Sequence, residues 1–264
     1  MLIRVSVALL VFTFIALAPL QGQDQPATGD TSPTITTDRP SFTNSSIVVP
    51  SGSLQFENGF LETYNQGQNV VDGPETLLRF GIATKTELRF TLPDYFYNTS
   101  SGGGSGSGFG DMAIGVKQQF GPTPAGFDVS ATLFLAFPTG AKSVSSGGYD
   151  PGLQVAWSHG LPNKWTAAGM LAMYWPTQGQ SRNLTGQATI NVDRQLTGRW
   201  DAYIEYAGNF PTRRGTRQLL DVGTSVKITK TQQLDLHFGE SITGTANRFV
   251  GIGYSFRFQA VDRH

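Results

Sequence analysis

Leu234-Asp235-Leu236-His237-Phe238-Gly239 and, past one connection, Val250-Gly251-Ile252-Gly253-Tyr254-Ser255-Phe256-Arg257-Phe258 decide the class of this chain. In both stretches every second residue is large and apolar, and the residues between are Asp, His, Arg, Ser or Gly. A repeat of two is that of an extended strand, whose successive side chains leave opposite faces; a helix would need a repeat of 3.6. Each stretch is therefore a strand with one apolar face and one face that holds all its charge.

Working outward, the same alternation runs through twelve segments: 53–64, 75–83, 86–93, 109–120, 126–137, 150–160, 164–174, 183–193, 199–209, 217–228, 232–240 and 248–258. Connections after odd-numbered segments are long (65–74, 94–108, 138–149, 175–182, 210–216, 241–247), and those after even-numbered segments are short (84–85, 121–125, 161–163, 194–198, 229–231). Long and short loops at opposite ends are what an up-and-down meander gives. Most segments exceed the five or six residues of an ordinary soluble strand. Ten residues at about 3.3 Å each, tilted by about 40°, rise about 25 Å, the height of the apolar band of a transmembrane barrel.

The charge parity extends to the other segments. Leu78, Phe80 and Ile82 alternate with Arg79; Leu88, Phe90 and Leu92 with Glu87 and Arg89; Ile114 and Val116 with Asp111 and Lys117. Trp200, Ile204 and Tyr206 alternate with Asp201 and Glu205, and Leu220, Val222 and Val226 with Asp221 and Lys227. The exceptions, Glu62, Glu240 and Arg248, all adjoin long connections and are expected at one rim. The charged face also carries Gly59, Gly81, Gly115, Gly223, Gly251 and Gly253, as a tight polar lumen requires, while Tyr64, Tyr95, Phe96, Tyr97, Phe120, Phe137, Trp157, Trp165, Trp175 and Phe210 gather near strand ends, as in interfacial girdles. A soluble barrel would instead turn its apolar face inward. The parity therefore predicts an all-β, up-and-down antiparallel transmembrane β-barrel of about 12 strands with an extended N-terminal arm.

Composition agrees. Of 264 residues, 19 Lys+Arg balance 19 Asp+Glu and 32 are Gly. Charged residues make up 14%, against about 25% in a soluble domain, yet the chain stays slightly polar in mean hydropathy because apolar residues are confined to one strand face. The zero balance argues against nucleic acid as a partner. With no Cys there are no disulfides, thiolate metal sites, thiol nucleophiles or lipoprotein anchor.

Arg4 followed by the apolar run 5–20 and then Gln21-Gly22-Gln23-Asp24 reads as an export signal, 1–22, too short for a comfortable membrane helix; Pro19 disfavours a cut after Ala18. Residues 23–52, rich in Gln, Pro, Thr and Ser, read as an extended periplasmic arm or plug segment, with Asp38 and Arg39 able to reach the lumen; 53–258 form the barrel and 259–264 a tail.

The run Gly102-Gly103-Gly104-Ser105-Gly106-Ser107-Gly108 precedes a strand rather than a helix, so it reads as an external loop and not a phosphate cradle. His159 falls near a short turn on the apolar parity, and His264 is terminal. His237 faces inward beside Asp235, as a member of a charge network or, on a rival reading, of a Ser–His hydrolase acting on lipid. No paired His or calcium-loop spacing is present, and neither a cofactor nor a metal is expected. The lumen-lining candidates are Glu57, Arg79, Glu87, Arg89, Asp111, Lys117, Asp201, Glu205, Asp221, Lys227, Asp235, His237 and Arg257. Opposite signs on adjacent strands fix register, and they also line a polar path.

Thr37-Asp38-Arg39-Pro40-Ser41-Phe42, Val49-Pro50-Ser51-Gly52-Ser53-Leu54-Gln55-Phe56-Glu57, Leu78-Arg79-Phe80-Gly81 and Glu87-Leu88-Arg89 resemble a bacterial outer-membrane "transporter" family labelled putative MetA-pathway of phenol degradation. So do Gly110-Asp111, Pro138-Thr139-Gly140, Asp221 with Gly223, and Gly251-Ile252-Gly253-Tyr254, and the resemblance spans about 36–258. It implies an outer-membrane barrel and tilts the solute toward small organic or aromatic compounds. The tail 259–264 departs from the aromatic terminus, here Phe258, on which many such barrels end.

The expected function is passive passage of small solutes through a narrow charge-lined lumen, in a chain located in the outer membrane. Its expected partners are outer-membrane lipid, the outer-membrane assembly machinery and a small-molecule solute. An outer-membrane lipid-acting enzyme and a closed structural barrel with partner-binding loops are the alternatives.

Overall fold

The computed structural model describes residues 33–65, 68–100, 106–243 and 247–261. The export signal, arm residues 23–32, the start of the Gly-rich loop at 102–105 and His264 lie outside them.

The strands are β1 (Ser53–Asn65), β2 (Gln68–Gly73), β3 (Leu77–Ala83), β4 (Thr86–Thr91), β5 (Tyr95–Ser100), β6 (Gly108–Phe109), β7 (Met112–Gln119), β8 (Phe127–Phe137), β9 (Asp150–Leu161), β10 (Trp165–Tyr174), β11 (Thr177–Gln178), β12 (Ser181–Arg182), β13 (Thr185–Gln195), β14 (Trp200–Pro211), β15 (Arg217–Thr229), β16 (Gln232–Thr243) and β17 (Arg248–Gln259). β11 and β12 form a hairpin within one long connection. The others form twelve antiparallel staves in chain order, because β2 with β3, β4 with β5, and β6 with β7 are broken halves of single staves. β1 pairs β17 from Ser53↔Gln259 to Tyr64↔Arg248, which closes the barrel and leaves no open edge.

The breaks correct the strand boundaries read from sequence. The segments expected as connections at 65–74 and 94–108 contain β2 and β5, since Val70-Val71 and Tyr95-Phe96-Tyr97 resume the ladder beyond an interruption. Pro74 and Pro93 lack the N–H a ladder needs, and Glu75 sits at φ 45. The three breaks lie side by side and are bridged by backbone bonds: Gly59 N–H to Pro74 O at 2.7 Å, Leu92 to Thr76 at 2.9 Å and Gly110 to Asp94 at 2.8 Å.

The surface is inverted relative to a soluble barrel. Leu133 and Leu171 are each 64% exposed and Leu236 50%, whereas Glu57, Arg79, Glu87, Lys117 and Asp221 are 0% exposed. Among the described residues, twenty-five polar or charged residues are buried against eight hydrophobic ones. Only a hydrocarbon surround makes that distribution favourable, because exposed apolar area costs about 25 cal/mol per Å² in water. The chain is a membrane-spanning barrel. Arg248 and Glu240, two of the parity exceptions, pair with each other at 3.0 Å at the long-loop rim.

Candidate functional site

Residues 33–52 form neither helix nor strand beyond a bridge at Ser51, so their backbone donors and acceptors must find partners elsewhere. They find them on the inner faces of the staves. Ile35 N–H bonds Lys230 O at 2.7 Å, in the short turn between β15 and β16, and Arg257 donates to Pro33 O. The ascending limb continues with Thr36 O, which accepts from Gln55 Nε2 at 2.8 Å and Arg79 Nη1 at 3.1 Å. The N–H groups of Asp38 and Arg39 bond Glu57 Oε2 at 2.8 and 3.2 Å.

The arm then crosses the lumen. Phe42 and Thr43 both give backbone N–H groups to Glu205 at 2.7 Å, and the Thr43 hydroxyl adds a third bond at 2.5 Å. The Phe42 ring meets Phe249 edge-on, with centroids 5.7 Å apart. Asn44 donates to Gln154 at 2.7 Å, and the hydroxyls of Ser46 and Ser158 stand 2.7 Å apart. The descending limb bonds Gln119 through Val48 N–H at 3.2 Å and Glu87 through Val49 N–H at 2.7 Å, and the chain enters β1 at Ser53.

Asp38 and Arg39 point to different sides. Asp38 meets Arg89, Arg79 (3.4 Å) and Lys117 (3.4 Å). Burial pushes the Asp38 carboxyl up, but the charges of Arg89, Lys117 and Arg79 outweigh it and hold the group well below the usual carboxylate range. Asp38, Glu57 and Glu87 thus face Arg79, Arg89 and Lys117, three charges of each sign. Arg39 reaches Glu75 at 2.5 Å and Asp235 at 3.4 Å. Its guanidinium lies over Gly59 and Gly253, which pair across β1 and β17; a Cβ on Gly59 would fall 2.2 Å from Arg39 Cζ.

Of the thirteen lumen candidates, Glu57, Arg79, Glu87, Arg89, Lys117, Glu205, Asp235 and Arg257 contact the arm directly. Asp221 accepts the Tyr203 hydroxyl at 2.6 Å and pairs with His237 at 3.4 Å, and the His237 ring lies 5.6 Å from that of Phe249. Lys227 pairs with Asp201. Asp111 stands apart: it is half-buried in the third break and accepts Gly140 and Ser146 N–H groups at 2.9 and 3.0 Å, so it holds a long loop. His159 stacks on Phe127 with centroids 4.4 Å apart. Among the described residues no cluster of His, Asp and Glu is arranged to hold a metal ion.

Sequence reasoning passed over the uncharged inner residues. Asn44, Gln154, Tyr174, Gln187 and Asn209 form a chain of hydrogen bonds of 2.7 to 3.1 Å across β9, β10, β13 and β14. Phe134 stands beside Tyr174 with centroids 5.7 Å apart. A cavity of about 360 Å³ lies on the long-loop side of the arm, lined by Asn44, Leu77, Arg89, Thr91, Phe134 and Gln154 among others. A second of about 770 Å³ lies near the short turns, where Pro33, Ile47, Val48 and Pro50 of the arm meet Phe80 and Ile82 of the outward face, so it belongs to the rim and not to the lumen. The signal for these residues was their parity, which matches that of the charges.

Residues 37–258 match the model of a family described as "Putative MetA-pathway of phenol degradation". The chain belongs to that family. Solved structures share the family member's architecture at low identity. One is the "COG4313 outer membrane channel from Pseudomonas putida F1", 17% identical, with a TM-score of 0.66 over 83% of this chain and 100% of that one. Others are the NanC porin (10%, TM-score 0.54, 77% and 98%) and the "KdgM porin in complex with disordered oligogalacturonate" (10%, 0.55, 78% and 99%). No curated protein matches the sequence. These likenesses show the fold, a closed β-barrel of the outer-membrane kind.

Proposed function

We propose that this family member is an outer-membrane channel, not an enzyme, that gives small solutes passive passage, and that residues 33–50 are its plug. The observation that carries this reading is the path of the arm, which bonds Glu57 on one wall, crosses to Glu205 and returns to Glu87. The arm thus interrupts the lumen and leaves a cavity of about 360 Å³ beside Asn44, and moving it would open the path.

The walls favour compact organic solutes with both polar and apolar parts. Leu77 and Phe134 supply apolar surface, and Asn44, Gln154, Thr91 and Thr132 supply amide and hydroxyl groups. Arg89 brings no free charge, because Asp38 and Glu87 already engage it. Small aromatic compounds bearing a hydroxyl fit that chemistry, and a volume of about 360 Å³ lies within the usual range for a small-ligand site. Export by residues 1–22 and residence in the outer membrane complete the reading.

Planar-bilayer recording of the refolded protein tests it. The full chain is expected to conduct weakly, and a chain lacking residues 23–45 several-fold more. Equal conductance would sink the plug, and absence of ion flux from both would sink the channel.

A further inference from the structure

Three exposed arginines share one arc of the long-loop rim: Arg182 on β12, and Arg213 and Arg214 in the connection between β14 and β15; Arg217, at the start of β15, pairs with Asn209 and so lies on the inner parity. None makes an ion pair among the described residues. Neither 175–185 nor 210–220 contains an acidic residue, and Asp150, which reaches this hairpin, is engaged by the N–H and hydroxyl of Thr177 at 2.8 and 2.6 Å. By contrast, Arg248 on the same rim is neutralised by Glu240.

The two loops that carry them are pinned together. Thr212 donates its N–H to Leu184 O at 2.9 Å and its hydroxyl to Asn183 at 2.7 Å, and Arg213 donates to Ser181 at 2.9 Å. Asn183 is buried beneath this joint. The outward apolar residues next to it, Leu184 and Phe210, are 37% and 40% exposed and mark the upper edge of the apolar band. The arginines therefore stand one to several residues above the hydrocarbon boundary, at the height of lipid phosphates.

We infer that this arc is a docking surface for the phosphorylated headgroup of an outer-leaflet glycolipid. The inference rests on the outer-membrane reading above. Guanidinium forks match phosphate oxygens two at a time. Unpaired basic side chains at a membrane surface attract anionic headgroups, each adding to the affinity. A soluble anion would have no reason to select an arc anchored on Leu184 and Phe210, whereas a lipid uses both the cations and the apolar ledge below them. Bound there, the lipid would brace the loops over β13, β14 and β15, whose inner faces carry the Glu205 and Thr189 contacts with the arm.

The test uses the full-length protein folded in detergent, with diphosphoryl lipid A as probe and its dephosphorylated form as control. Retained lipid is counted by native mass spectrometry. The R182Q/R213Q/R214Q variant is expected to bind more weakly than the native chain by about tenfold or more. K85Q/R199Q, which alters exposed cations at the opposite rim, is expected to bind as the native chain does. Folding of each variant is confirmed by the heat-dependent gel mobility of an intact barrel. Equal binding of diphosphoryl and dephosphorylated lipid, equal binding by native and triple-variant protein, or complete displacement of the lipid by millimolar inorganic phosphate would overturn the inference. Arginine-dependent binding by a chain that cell fractionation finds outside the outer membrane would instead overturn the location on which it rests.

Discussion

Arg79 and Glu87 form a two-point ion pair between neighbouring staves, Nε to Oε1 at 2.9 Å and Nη2 to Oε2 at 3.0 Å, with both side chains 0% exposed. The same guanidinium donates to Thr36 O on the ascending limb of the arm and to Ile47 O on the descending limb, at 3.1 and 2.7 Å. One wall residue thus holds both limbs and a carboxylate that itself binds Val49 N–H. Removing it takes from Glu57 its ion-pair partner and leaves Glu87 with Arg89 at 2.8 Å. Arg79→Ala is expected to cost about 3–5 kcal/mol, the usual penalty for breaking a buried pair by one partner. Arg79→Lys keeps the charge and loses the fork, so it should cost less. Urea unfolding in lipid vesicles measures both.

The Asp38 carboxyl is expected to stay ionised across the neutral and mildly acidic range. Its value is depressed in the folded chain, so its contribution to stability is fully present above the unfolded carboxylate value, about 3.9, and is lost only as pH falls through the lower folded value. Carboxyl carbon shifts of Asp38 should therefore be flat from pH 8 to about pH 4; a midpoint at 4 or above would show that Arg89, Lys117 and Arg79 do not hold it. Asp38→Asn removes one of three negative charges facing three positive ones, and is expected to raise conductance by loosening the arm.

The outward face carries its own test. Leu236 is 50% exposed in the middle of β16. Leu236→Arg places a charge in hydrocarbon and is expected to destabilise the barrel by about 2–4 kcal/mol in bilayers. The same substitution on a barrel that faced water would cost little, so the unfolding free energy separates the two surroundings.

Gly59 offers a way to disturb the arm without touching it. A side chain there meets the Arg39 guanidinium, whose seat over Gly59 and Gly253 exists because neither has a Cβ. Gly59→Leu is expected to displace Arg39 from Glu75 and Asp235 and to increase single-channel openings, with the barrel still folded as judged by heat-dependent mobility.

Much of the barrel was legible because hydrocarbon imposes a rule on every second residue. Leu236 out and Asp235 in follow from the price of a charge in lipid, whatever the neighbours are. The breaks at Pro74 and Pro93 were less legible: a proline that ends a ladder and one that only interrupts it look alike until the partner strand is known. The charges of the site were legible for the same reason as the fold, but their task was not. Glu205 was read as a lumen charge, yet its partners are the backbone N–H groups of Phe42 and Thr43, on a segment with no repeat to announce its path. Gln154, Tyr174 and Phe134 went unread because inward uncharged residues resemble the background of any strand.

The central claim is that the arm within the lumen restricts passage, and Ser46 and Ser158 test it most directly. Their hydroxyl oxygens are 2.7 Å apart, so the two side chains meet tip to tip, and the chain has no Cys to compete. S46C/S158C is expected to lock the arm when oxidised, so that the weak native conductance, which depends on the arm swinging aside, is lost, and to recover that conductance on reduction. Native conductance persisting in the oxidised protein, with the disulfide confirmed by mass, would contradict the account.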